Sequence, residues 1–104
     1  MIVELTLITI TTEKDRAGFR KEKRHELNVI AEKKSVKRTE FYSAMKSNII
    51  PKFTFEVYAE EYEATKQEDE EGIHYATKAI CDNEEYDIIR TYTADDFRLE
   101  IVTR

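Results

Sequence analysis

Residues 2–10 (IVELTLITI) alternate, with Val3, Leu5 and Leu7 on one face and Glu4 and Thr6 on the other. The segment is dense in β-branched side chains, so the pattern predicts a strand. Residues 11–22 (TTEKDRAGFRKE) have no period and contain Gly18, one of only two glycines, and read as a long loop. In a small domain such a loop is a natural place for binding residues. Alternation returns over residues 24–33, where His25, Leu27, Val29 and Ala31 share a face opposite Glu26, Asn28 and Glu32. That is a second strand.

The period then changes. Phe41, Ala44, Met45 and Asn48 fall at i, i+3, i+4 and i+7, which predicts a short helix over residues 40–47. Thr39 is placed as its N-cap, Glu40 favours its first turn, Asn48 suits a left-handed position after its end, and Pro51 forbids continuation. Two turns are too few to be stable unless docked on a sheet. Residues 53–59 (FTFEVYA) predict a strand with Phe53, Phe55, Val57 and Ala59 inward and Thr54, Glu56 and Tyr58 outward. Glu60 to Gly72, with the run Lys66-Gln67-Glu68-Asp69-Glu70-Glu71, reads as a mobile loop. Residues 76–81 and 85–92 form a predicted hairpin around Asp82-Asn83-Glu84, and Ala94-Asp95-Asp96 turns into a last strand, 97–103, with Phe97, Leu99 and Ile101 inward.

The expected fold class is therefore mainly β: about six antiparallel strands, one inserted α-helix and two long loops, in a single domain spanning 1–104. A sheet of that size with one polar face closes into a small barrel or stacks as a sandwich.

Composition narrows the functions. Of the 104 residues 38% are charged, and the longest apolar-looking stretch, Met1 to Ile10, falls well short of the roughly 20 residues of a spanning helix. No membrane partner is expected. A lone cysteine, Cys81, forms no intrachain disulfide, and its neighbour Asp82 disfavours a thiolate. With glycine only at 18 and 72, no phosphate-cradling loop exists, and there is no serine nucleophile elbow. His25 sits on the apolar face of its strand, and His74, with Glu70 and Glu71, lacks the spacing of a calcium loop. The expectation is a protein that is not an enzyme, with no catalytic residue, cofactor or metal.

Charge is uneven. Residues 1–52 hold 12 Lys/Arg and 7 Asp/Glu, a net +5, and residues 53–104 hold 5 and 15, a net −10. The overall −5 argues against a general nucleic-acid binder. If the halves formed separate faces, copies could meet head to tail, positive against negative. Basic residues from Lys14 to Arg38 beside Phe19 and Phe41 keep an alternative open: a small barrel that binds single-stranded nucleic acid, like an OB-fold.

The order of motifs is more specific than any one of them. Asp15-Arg16-Ala17-Gly18 follows the first strand; next come Ser35-Val36, Glu40-Phe41-Tyr42 with Ala44, and Pro51 before an F-x-F-x-V strand. Tyr86-Asp87-Ile88-Ile89-Arg90-Thr91-Tyr92 and a closing Leu99-Glu100 complete the series. This series resembles the head-closure family of long-tailed phages, the stoppers or head–tail adaptors, over about residues 3 to 101. Asn48 stands where the family often has glycine, Pro51 is displaced by Ile49-Ile50, and the acidic run is longer than usual.

The resemblance implies a phage- or prophage-encoded virion component, a small β-barrel with a helix and long loops. It implies a protein made in the bacterial cytoplasm and placed at the head–tail junction, forming a ring below the portal–adaptor complex after DNA packaging. The partners would be further copies of itself, the portal and adaptor rings, a tail-completion protein, and packaged double-stranded DNA held without sequence recognition. The free chain is permitted to be a monomer. Two loops are the candidate interface: a basic one with Lys14, Asp15, Arg16, Phe19, Arg20 and Lys21, and an acidic one with Glu68, Asp69, Glu70 and Glu71 projecting toward the channel or tail. Strict alternation puts Arg90 on one face with Tyr86, Ile88 and Tyr92, where a guanidinium needs a partner. Glu40 is the candidate, tying helix to barrel.

Overall fold

In the computed structural model, which describes residues 1–104, the first strand runs past its apolar part. Strand β1 is Ile2–Lys14 and reverses at residues 15–19 into β2, Arg20–Lys34. Helix α1 (Arg38–Met45), β3 (Phe53–Tyr58) and a one-turn α2 (Ala59–Glu63) follow. Next come β4 (Gln67–Asp69), β5 (Gly72–His74), β6 (Lys78–Cys81), β7 (Glu84–Thr93) and β8 (Arg98–Thr103). Six of these close an antiparallel barrel in the order β1-β2-β3-β8-β7-β6, and β4 pairs only with β5. The chain is mainly β, a small closed barrel with short helices. Closure removes most of the edges an open sheet would expose.

Alternation fills the barrel. Leu5, Leu7, Val29, Ala31, Phe55, Val57, Ala79 and Ile101 are buried in one cluster. Phe55 is 0% exposed, and Tyr86 meets Phe53 edge-on, with ring centroids 6.0 Å apart. Cys81 packs in the same cluster, and burial pushes its thiol pKa up. The β6–β7 hairpin turns on Asp82 and Asn83, both at positive φ (51° and 64°), the geometry of the tight turn that matches strand twist. Asn48 takes the left-handed position after α1 (φ 58°).

Several expectations are corrected. Residues 11–22 are not a loop: β1 and β2 stay in register from Ile2↔Glu32 to Lys14↔Arg20. Beyond the barrel the ribbon has little core to face, so the apolar alternation vanishes although the backbone pairing does not. Residues 60–72 are not a mobile loop either; they form α2 and most of a hairpin whose turn needs Gly72 at φ 121°. Helix α1 begins at Arg38 with Lys37 as a cap that makes no side-chain bond, so Thr39 is not the N-cap. Of the predicted helical face only Ala44 is buried, and Met45 is exposed. Phe97 is 75% exposed because it precedes β8, in a turn where Asp95 Oδ1 accepts from the N–H groups of Phe97 and Arg98 (2.8 Å each).

Outside the barrel, α1 lies beside β3, β8 and β7. Thr54 and Val102, paired on the outer face, are buried there. The same covering decides the place of Arg90. A β-bulge between Ile88 and Arg90 opposes the Thr103–Val102 step of β8, which shifts the alternation by one. Tyr86 and Ile88 therefore pack in the core, while Arg90 and Tyr92 face α1. The expected shared face is not formed.

Candidate assembly surface

The far half of the β1–β2 ribbon makes the molecule long, 49 × 30 × 27 Å. Its turn is closed by one side chain. Asp15 Oδ1 accepts from the N–H groups of Ala17 and Phe19 (2.9 Å each), and its carbonyl accepts from Gly18 N–H at 3.0 Å. Gly18 at φ 84° supplies the left-handed residue. Asp15 and Gly18 are thus turn-formers. They present Arg16, Phe19 (70% exposed) and Lys21 at the end of the ribbon.

The β4–β5 hairpin leans on this ribbon. Asp69 is the joint: Oδ2 accepts from Thr12 N–H (3.0 Å), and Oδ1 accepts from Glu71 N–H and lies against His74 Nε2 (2.8 Å each). These bonds, the Thr12 amide first and then His74, draw the Asp69 carboxyl down to about 2. At the hairpin base Thr9 Oγ1 donates to the Thr65 carbonyl (2.6 Å), and Thr65 Oγ1 takes the Ala76 N–H (3.0 Å). Tyr62 donates to the Ala76 carbonyl and stacks on Tyr75, with centroids 5.9 Å apart. Arg20 meets Glu71 at 2.7 Å and Lys14 meets Glu70 at 3.9 Å.

The basic and acidic segments are therefore one composite arm and not two independent loops. Lys14, Arg20, Asp69, Glu70 and Glu71 are brought together, while Arg16, Phe19, Lys21 and Glu68 stay exposed. Glu40 and Arg90 lie elsewhere, on the outer barrel, with Arg90 Nε 2.9 Å from Glu40 Oε1. That contact is an ion pair out of hydrogen-bond alignment, since neither atom has a partner in bonding geometry. Tyr92 hydroxyl donates to Glu40 Oε2, whereas Tyr42 points to solvent. A double-mutant cycle of Glu40→Gln and Arg90→Met, read by urea unfolding, is expected to give a coupling of about 1 kcal/mol. Zero coupling would remove the pair as a tie between helix and barrel.

Much of the charge asymmetry is satisfied inside one molecule. Arg24 pairs with Glu85, Lys34 with Glu56 at 2.5 Å, and Lys37 with Glu100 at 3.9 Å, each joining the basic half to the acidic half. Sequence reasoning missed Asp69 as a joint, Thr9 and Thr65 as anchors, and the outer edge of β2, which β3 covers only at Glu32–Lys34. A threonine signals nothing until its cross-chain carbonyl is known. The polar alternation Glu22, Arg24, Glu26, Asn28 was the one available hint of an edge. No protein-family model matches the chain, and no curated protein is significantly similar to it.

Proposed function

We propose that this chain is a head-closure subunit of a long-tailed phage or prophage. It assembles as a ring below the portal–adaptor complex after packaging, closes the channel to retain DNA, and offers the tail its attachment surface. The observation that carries the reading is the composite arm. A ring subunit needs a rigid body and a projecting element that reaches its neighbour, and here a closed barrel carries a ribbon braced by a second hairpin. The motif order gives independent support, because Asp15 and Gly18 form the turn of that ribbon and Asn48 ends the helix between β2 and β3. On this reading Phe19 and Arg16 at the tip enter the neighbouring subunit or the adaptor ring, and Glu68 faces the channel or tail.

Electron microscopy of portal–adaptor particles mixed with the protein tests the proposal. Added ring density below the adaptor is expected, and its loss when residues 66–71 are deleted, since that deletion removes the whole of β4 with Asp69. Particles left bare at saturating protein would refute it. One observation favours a second reading: exposed Phe19 lies between Arg16 and Lys21, as on a single-strand stacking platform. A salt-dependent anisotropy change with a single-stranded oligonucleotide, abolished by Phe19→Ala, would support that alternative instead.

A further inference from the structure

The phase of the β1–β2 ladder is set at both ends. Lys33 N–H donates to the Met1 carbonyl (2.7 Å), and Asp15 N–H donates to the Phe19 carbonyl (2.9 Å). With unbroken register between them, the odd-numbered residues of β2 turn their N–H and C=O groups toward β1 and the even-numbered ones turn theirs away. On that outer side β3 pairs only with Glu32, Lys33 and Lys34. The backbone groups of Glu22, Arg24, Glu26, Asn28 and Ile30 are left without a strand partner, on an edge that has neither proline nor bulge.

A groove of about 570 Å³ runs along the far part of this edge, between Leu27–Ile30 and the Glu60, Glu61 and Ala64 side of α2, with Glu4 nearby. It is acidic. Glu60 and Glu61 enter none of the ion pairs of the chain, and Glu61 Oε2 is buried with no hydrogen-bond partner. The other half of the same strand is basic, with Arg20, Lys21, Lys23 and Arg24. One edge therefore carries, in opposite halves, an acidic groove with no ion-pair partner and a basic strand in which Lys21 is unpaired while Arg20, Lys23 and Arg24 hold solvent-exposed pairs with Glu71, Glu13 and Glu85.

We propose that two copies of this chain join through antiparallel β2 edges about a two-fold axis, so that the basic half of each β2 lies in the acidic groove of the other. An isologous contact needs a patch complementary to itself, and the antiparallel arrangement of these halves provides it. The register that engages every free group from Arg20 to Ile30 centres on His25. It sets Arg24 opposite Glu26 of the partner subunit, twice, and Glu22 opposite Asn28 of the partner subunit. Opposite charges directly across a ladder stabilise it, and the main-chain bonds supply the rest. The pairing does not depend on the head-closure reading, since a ring requires head-to-tail contacts and this one is two-fold.

Sedimentation equilibrium of the full chain at low salt is expected to show a dimer. Asn28→Pro removes an N–H that the monomer's own ladder does not use, so it should abolish dimerisation with the far-UV spectrum unchanged. Glu26→Arg faces Arg24 with like charge and should raise the dimer dissociation constant about tenfold, and Arg24→Glu added to it should recover the loss. A wild-type chain that stays monomeric at about 1 mM overturns the proposal, as does a dimer indifferent to both Asn28→Pro and Glu26→Arg.

Discussion

Replacing Phe55 with alanine is expected to destabilise the protein by about 3–5 kcal/mol, a fifth or more of the roughly 5–15 kcal/mol that such a domain has. Phe55 is fully buried at the middle of β3 and packs between Phe53 and Tyr86, with centroids 6.4 and 6.1 Å away. Removing its ring takes away transfer energy and leaves a cavity, because a closed barrel cannot collapse inward without breaking ladder bonds. In urea the midpoint should fall by about 2 M. Phe97→Ala is the control. Its ring is exposed in the turn before β8, so the change should stay within about 0.5 kcal/mol. Equal effects from the two would mean that the barrel is assembled differently.

The second large effect concerns the arm. With its carboxyl held at about 2, against an ordinary 3.8, Asp69 binds the proton less well in the docked hairpin than in the free one. Its contribution is therefore complete above about pH 4 and is lost as the pH falls through about 2. The amide resonances of Thr12 and Glu71, which donate to this carboxylate, should titrate together with a midpoint near 2. In Asp69→Ala the Thr12 amide should lose protection from hydrogen exchange about tenfold at neutral pH, and the acid titration should disappear. The barrel core, which contains no part of this joint, should keep its protection in both cases. A Thr12 amide unaffected by the substitution would show that the hairpin is held without Asp69, by the Thr9–Thr65 and Tyr62–Ala76 bonds and the Arg20–Glu71 and Lys14–Glu70 pairs.

The corrections share one cause. Alternation is legible where one face of a strand is buried, which is why Leu5–Leu7, Val29–Ala31 and Phe55–Val57 are read correctly. It fails where pairing continues without burial, as in Thr12–Lys14 against Arg20–Glu22, and where a bulge resets the count, as before Arg90. The acidic run looked unstructured because its composition lacks apolar residues. What orders it is a carboxylate meeting a backbone N–H 57 positions away, which no local pattern encodes.

For this protein, then, the linear order of residues was enough to establish a mostly β body of six principal strands, the interior side chains of β1, β2 and β3, the Asp82-Asn83 turn, and the asparagine that follows α1. These depend on period and on local backbone preference, both written within a few residues. Only the folded chain decided that the basic and acidic segments form one braced arm, that Glu40 and Arg90 meet outside the barrel, and that β2 keeps an open edge beside an acidic groove. Those features arise from hydrogen bonds and charges between distant parts of the chain, and which groups find one another is fixed by barrel closure and strand register.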